Sequence, residues 1–478
     1  MTLSIVPGSR GSVPPVPPAA PDSVRRRVPP TALSWALAAG MAAQVAVRLW
    51  LARARTAPVA NPDETGYLVA ARWLAGGPGA DLSGNTFYQG GYPLLLIPVH
   101  WFSDDPVTVY VAVLVLNAVA GAALFPLGYA AARRLGLGGR AALPLSFAAA
   151  LLPATTFFGA FALADAVLPA VVLAWLLALD RFVRSGRALD AALASLIASY
   201  AAAVHTRGTV LLAVHVLALA AIARRRLRAV LAGGAVAIAG HLAGTALNAH
   251  IRDGLYPEGV RDLAGILGER LTTLAGQQWA LGGAAGQIWY LVVSTWGLAG
   301  IGLVAVAAAP ARRRTAAADR TMAAVLLAAT CGIAYASSAA LPDEHRVGNF
   351  AYGRYLACLA LVYALIGAAA LVRSRALAAV RLTVAGVFLS AGAGLWVGGH
   401  AGERLRTHAF IAFDFPETTF LTGDRTALNL AEATLAASAL LCGLLALSRL
   451  GRRGPPAMAV ALAGTSLAAL AFAMGPSP

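Results

Sequence analysis

The chain reads as an all-α polytopic membrane protein with about thirteen transmembrane helices. Three observations predict this. Hydrophobic residues make up 59% of its 478 residues and charged residues 12%, far from the balance of a soluble domain. Thirteen apolar stretches recur along the chain, several of them short and Ala/Gly-rich against the ~20 residues that a helical crossing needs. The segments between them alternate in charge, arginine-rich and then acid-rich.

The elements follow in order. Residues 1–30 are Pro-rich and close on Arg25-Arg26-Arg27, with no apolar stretch ahead of those arginines. They read as a disordered cytoplasmic tail, not a cleaved signal peptide. Spans are expected near 31–51, 106–130, 141–159, 164–180, 188–204, 209–223, 229–248, 286–309, 321–341, 355–372, 382–400, 430–448 and 457–475. Arginine sets the orientation, because the sequence has no lysine. With the N-terminus in the cytoplasm, 24 of the 37 arginines fall on the inner side with only four of the 21 acids (Asp22, Asp180, Asp190 and Asp319). That is the positive-inside pattern. It predicts a multi-pass protein with a cytoplasmic N-terminus and an external C-terminus, and the Ala-, Gly- and Arg-rich, lysine-free composition points to a high-GC bacterium and hence to its plasma membrane. The formal net charge of +16 is then a topology signal. Spread over short loops, it does not form the concentrated basic face that nucleic acid needs. Cys331, Cys358 and Cys442 all fall in spans, so neither a disulfide framework nor a cysteine metal site is expected.

Four external segments are long enough to build a site: 52–105, 249–285, 342–354 and 401–429. The first carries two short helical pieces. One opens at Asn61-Pro62-Asp63-Glu64 and runs through Tyr67 to Leu74. The other follows Tyr88-Gln89-Gly90-Gly91-Tyr92-Pro93 and ends at His100-Trp101-Phe102. Neither can span, and both are aromatic-rich, so they are expected to lie along the outer surface. Asp63 and Glu64 admit two compatible readings. Asn61 as N-cap, Pro62 at the first helical position and two acids in the first turn make a sound helix start, with Glu64 as the capping-box residue. A carboxylate at the lipid–water boundary can also serve as a general base toward a hydroxyl.

Asp165 stands at the outer mouth of the fourth span, where an ionisable group is a site candidate by default, although it can also cap that helix. Arg207, in His205-Thr206-Arg207-Gly208, and Arg354, in Tyr352-Gly353-Arg354-Tyr355, face outward against the charge rule. Each calls for an anionic partner. A local ion pair with Asp165, Asp343 or Glu344 satisfies that, as does a phosphate held by the bidentate guanidinium fork. The remaining histidines show no paired ligand spacing. His250 and His345 lie in external loops and read as interfacial polar residues or as ligands. No Walker loop or dinucleotide fingerprint is present, so an activated substrate does not arrive by cytosolic nucleotide binding.

Together these features resemble the lipid-phosphate-dependent glycosyltransferases of the GT-C class, among them the protein mannosyltransferases, the aminoarabinose transferases of lipid A and actinobacterial relatives. The likeness rests on Asp63-Glu64 after the first span, Tyr92-Pro93-Leu94-Leu95 in a loop with two juxtamembrane helices, Asp165, the His205–Gly208 turn, the Tyr352–Tyr355 segment and the span count. It covers 31–380 as a catalytic core and leaves 381–478 as further transmembrane helices around the loop 401–429. The resemblance implies inverting transfer of a sugar from a polyprenyl phosphate to an unidentified envelope acceptor at the outer face. Asp63, Glu64 and Asp165 would then be catalytic. Arg354, Arg207, Tyr352 and Tyr355 would hold the donor phosphate, and Tyr67, Tyr88, Tyr92 and His205 would line the substrate groove beside membrane lipid. The sequence requires no cofactor; a divalent cation near the acids is compatible with it. Two other classes stay open. A transporter or flippase would show paired halves, which the hydropathy lacks. A non-catalytic or polymerase/ligase-type assembly protein would place its chemistry in a large late external loop.

Overall fold

The computed structural model of the chain describes residues 30–312 and 315–475. The expected cytoplasmic tail lies outside these residues apart from its last position. Twenty α-helices follow one another: α1 (Pro30–Ala52), α2 (Asp63–Leu74), α3 (Gly91–His100), α4 (Pro106–Ala122), α5 (Leu124–Arg134), α6 (Gly139–Ala149), α7 (Pro153–Thr156), α8 (Leu168–Ser185), α9 (Ala188–Val204), α10 (Thr206–Leu255), α11 (Leu263–Thr272), α12 (Leu274–Val293), α13 (Leu298–Ala308), α14 (Ala317–Ala340), α15 (Ala357–Arg373), α16 (Ala376–Ala401), α17 (Arg404–Thr407), α18 (Pro416–Thr422), α19 (Leu430–Ser448) and α20 (Gly454–Met474). Among the described residues there is no β-strand, only one isolated parallel bridge between Arg346 and Ala409.

Every predicted span falls on a helix, but the helices are less uniform than the hydropathy suggests. Among the described residues, seven helices are long and apolar enough to cross a membrane, and nine segments qualify if each of two bent pairs counts as one span. Two predicted spans share α10, which breaks at Arg226 (φ −143°, ψ 41°) inside the arginine run. Length and composition therefore do not fix the count at thirteen. The expected straight span at 286–309 is instead a sharp corner: α12 and α13 meet at 118°, where Trp296 (φ 55°) and Gly297 (φ 82°) leave helical geometry. The span at 141–159 bends by 68° ahead of Pro153, because a residue before proline is pushed out of the helical region.

Small residues let the helices close on one another. Ala191, Ala194, Ala198 and Ala201 of α9 are fully buried, so α10 packs close along it in the manner of small-residue interfaces in membranes. Large apolar side chains such as Leu217, Ile238, Phe388 and Leu395 point outward instead, as lipid-facing residues do. Helices α8 and α15 carry the functional polarity. Their starts adjoin Asp165 and Arg354. Their far ends carry Arg184, paired with Asp180 and Asp319, and Arg373, which donates to the Leu135 carbonyl. An 18-residue helix is about 27 Å long, so the acid–arginine centre and the basic end are separated by most of a bilayer core.

Candidate active site

The centre is assembled from four separate stretches of sequence. Asp63 comes from the first turn of α2, and Asp165 from the three-ten turn before α8. Arg207 comes from the first turn of α10, and Arg354 from the loop before α15. Arg354 bridges the two acids. Its Nε donates to Asp165 Oδ2 at 2.7 Å and its Nη1 donates to Asp63 Oδ2 at 2.8 Å. Arg207 Nη2 donates to Asp165 Oδ1 at 2.5 Å, and its Nη1 donates to the Arg354 carbonyl at 2.8 Å. Both oxygens of Asp165 are thus taken by guanidinium groups, and Asp165 and Arg207 are buried. Asp63 is the open member, with 31% of its side chain exposed.

Close approaches built on glycine seat both arginines. A Cβ at Gly208 would run into the Ala201 carbonyl, and one at Gly353 into the Tyr290 ring. The Asp165 segment is pinned from two helices: Glu64 Oε2 accepts from the Ala162 N–H at 2.6 Å, and Asn117 Nδ2 donates to the Phe161 carbonyl at 2.8 Å. His205 caps α10 by accepting from the Arg207 N–H at 3.2 Å, and its ring stays against that guanidinium. Tyr88 donates its hydroxyl to Asp63 Oδ1 at 3.0 Å. Burial and the Asp63 charge hold this phenol above its ordinary range, so it stays a donor. Tyr352 and Tyr355 pack ring to ring, 4.6 Å apart, on either side of Arg354 in sequence.

Several expected roles are corrected by these contacts. Glu64 is fully buried. It accepts from the Val59 and Ala60 N–H groups at 2.8 Å and from the Tyr110 hydroxyl at 2.6 Å, as well as from Ala162. With every lone-pair direction used, Glu64 is held as a structural staple in this arrangement. Asn61 does not cap α2: Pro62 precedes the helix without a side-chain cap, and Asn61 accepts from the Thr65 hydroxyl instead. Tyr92 does not line a groove. It is fully buried, and its hydroxyl donates to Asn117 Oδ1 at 2.9 Å. Tyr67 is nearly as buried, edge-on to Tyr92 and tilted against Tyr88. Glu344 pairs with Arg261 and Arg346, so the partners of Arg354 are Asp63 and Asp165. Both acids are paired with guanidinium groups in this arrangement.

Sequence reasoning missed the reach of the late loop. Phe413 packs against Phe157, Phe158 and Phe161, and Arg354 lies over the Phe158 ring at 5.8 Å. The next residue, Asp414, is buried with Oδ2 unpartnered. Burial pushes its carboxyl up to about 6, against the pull of Arg346 and Arg354. Glu417 is buried too, accepts from the Tyr290 hydroxyl at 2.6 Å, and is pushed up by burial to about 7. The signal was present as two acids in an external loop flagged for its length.

No family model matches the sequence, and no curated protein matches it. Among solved structures, ArnT from Cupriavidus metallidurans bound to undecaprenyl phosphate aligns over 93% of this chain and 78% of its own, at 15% identity and a TM-score of 0.54. The same protein in the apo state aligns over the same shares at 15% identity and a TM-score of 0.46. Arabinosyltransferase EmbB from Mycobacterium smegmatis aligns over 95% of this chain and 42% of its own, at 16% identity and a TM-score of 0.48. The first of these likenesses shows the fold. The chain has the GT-C architecture that its sequence resembles.

Proposed function

We propose that the chain is a membrane glycosyltransferase that moves a sugar from a polyprenyl-phosphate donor to an acceptor of the cell envelope at the outer face, with inversion. The observation that carries this is the single open carboxylate, Asp63, held beside an arginine that is anchored from behind by Asp165. A fold shared with a protein solved with undecaprenyl phosphate supports the donor class.

In this reading Asp63 takes the proton from the acceptor hydroxyl as its oxygen attacks the anomeric carbon. The bond between that carbon and the phosphate oxygen breaks, and the electron pair leaves with the lipid phosphate. Arg354 stabilises that developing charge. Its Nε and Nη1 are engaged by the two acids, while no acceptor among the described residues meets its Nη2. A phosphate bound there would draw the guanidinium from Asp63 and release the carboxylate to act as base. Asp165 and Arg207 are positioning residues, since their polar atoms face one another and the Arg354 backbone. Tyr88 orients Asp63, Tyr352 and Tyr355 flank the phosphate position, and His205 holds Arg207.

The test is transfer from a radiolabelled polyprenyl-phosphate sugar in membranes. Asp63→Asn should lose about 10²-fold or more, the range for a positioned acid–base group, with normal expression. Unchanged transfer by Asp63→Asn would remove the proposed base.

A further inference from the structure

We propose that Asp343, His345 and His408 form a transition-metal site, with zinc the ion their chemistry fits, tying the loop that carries Arg354 to the late external loop. One ligand atom from each of these side chains lies within 4.8 Å of the other two, and among the described residues this is the one such group of three. Asp343 and His345 already approach to 3.6 Å between Oδ1 and Nδ1. The rings of His345 and His408 are 5.5 Å apart between centroids. Tetrahedral zinc with bonds of about 2.0–2.1 Å sets its ligand atoms roughly 3.3 Å apart. The three groups therefore need only a small closure; Asp343 and His345 are exposed and His408 is half-buried.

Donor chemistry selects the ion. Two imidazoles and one carboxylate suit zinc or a neighbouring transition metal, whereas calcium and magnesium require mostly oxygen. Three protein ligands leave a fourth position for water. The backbone supports the same arrangement. His345 and His408 sit on segments held in register: the Ala409 N–H donates to the His345 carbonyl at 3.0 Å, and the Val347 N–H donates to the Ala409 carbonyl at 2.9 Å. His345 adopts a left-handed conformation, φ 51°, which histidine takes more readily than most non-glycine residues. From here one segment runs nine residues on to Arg354, and the other runs through Phe413 to Asp414. A metal at this point would fasten the late loop over the acid–arginine centre. It is a staple beside that centre and takes no part in the proposed transfer.

The test uses the full chain in detergent, carrying no histidine tag, stripped with chelator and dialysed against zinc alone. One zinc per chain is expected, with a rise in the thermal midpoint as binding stabilises the folded state. Asp343→Asn should weaken zinc binding by about 10-fold or more, since a ligand is lost. The double variant His345→Ala/His408→Ala should bind none and show no zinc-dependent rise, while His250→Ala should match the parent chain. Zinc retained by the double variant overturns the site, as does a parent chain that binds none. Loss of zinc in His250→Ala equal to that in the double variant would place the ion elsewhere and also end the proposal.

Discussion

Adjacent carboxylates at positions 63 and 64 divide sharply in role because one helical step turns one outward and the other into the core. Glu64 joins the chain before α2 to α4 and to the segment before α8 through four accepted hydrogen bonds. Hydrogen bonds to a charged acceptor contribute about 1.5–3 kcal/mol each, and an unmet buried donor adds its own cost. Glu64→Gln should therefore lower the unfolding midpoint clearly, measured in detergent, while Asp63→Asn should barely move it. Equal destabilisation by the two would contradict the division. Arg354 makes a parallel point about geometry. Its planar fork reaches two acids at once through different nitrogens, which an ammonium cannot reproduce. Arg354→Lys should reduce turnover by about 10-fold or more and Arg354→Ala further, with a smaller change in apparent donor affinity, because the charge on the leaving phosphate peaks in the transition state. A variant that raises only the apparent KM would indicate uniform donor binding instead.

The late external loop is the element whose behaviour depends most on pH. Its two buried carboxyls are both raised by burial, Asp414 to about 6 and Glu417 to about 7, whereas unfolded carboxyls titrate near 4. The folded chain therefore holds more protons than the unfolded chain between roughly pH 4 and 7. The stability from these groups is fully present below the unfolded pKa and is lost as pH rises through about 6 and then about 7. The unfolding midpoint should fall between about pH 4 and about pH 7, and Glu417→Gln, which stays neutral and keeps an acceptor for the Tyr290 hydroxyl, should flatten the upper part of that fall. An unaltered slope in Glu417→Gln would show that this carboxyl is already ionised in the folded loop. Hydropathy could not announce any of this, because it registers a loop of mixed polarity. Whether Asp414 and Glu417 are covered depends on Phe413, Phe415 and Pro416 folding back over Phe158 and Tyr290.

At the scale of the whole molecule, the helices were legible because each is an apolar run punctuated by arginine, and both signals are local. The acid–arginine centre was legible as two outward arginines against the charge rule, Arg207 and Arg354, and two acids at the outer ends of spans, Asp63 and Asp165. Its pairing was not, since Arg354 meets acids 189 and 291 residues away, and no spacing encodes that. Bends were hidden for a related reason: Trp296-Gly297 turns α12 into α13 inside one unbroken apolar stretch. The structure sets the acid–arginine centre and the arginine-rich ends of α8 and α15 at opposite ends of the same helices, which turns topology into a two-site question. If the positive-inside rule governs, the end bearing Arg184, Arg373 and Arg449 is cytoplasmic and the Asp63 end is external. Single cysteines at Ser83 and Ser374, placed in a chain whose Cys331, Cys358 and Cys442 are replaced by alanine, report on the two ends. Ser83→Cys should react with an impermeant maleimide added to intact cells, and Ser374→Cys only after the membrane is opened. The opposite pattern would put Asp63 and Arg354 on the cytoplasmic side, where a sugar carried on an externally presented lipid phosphate could not reach them.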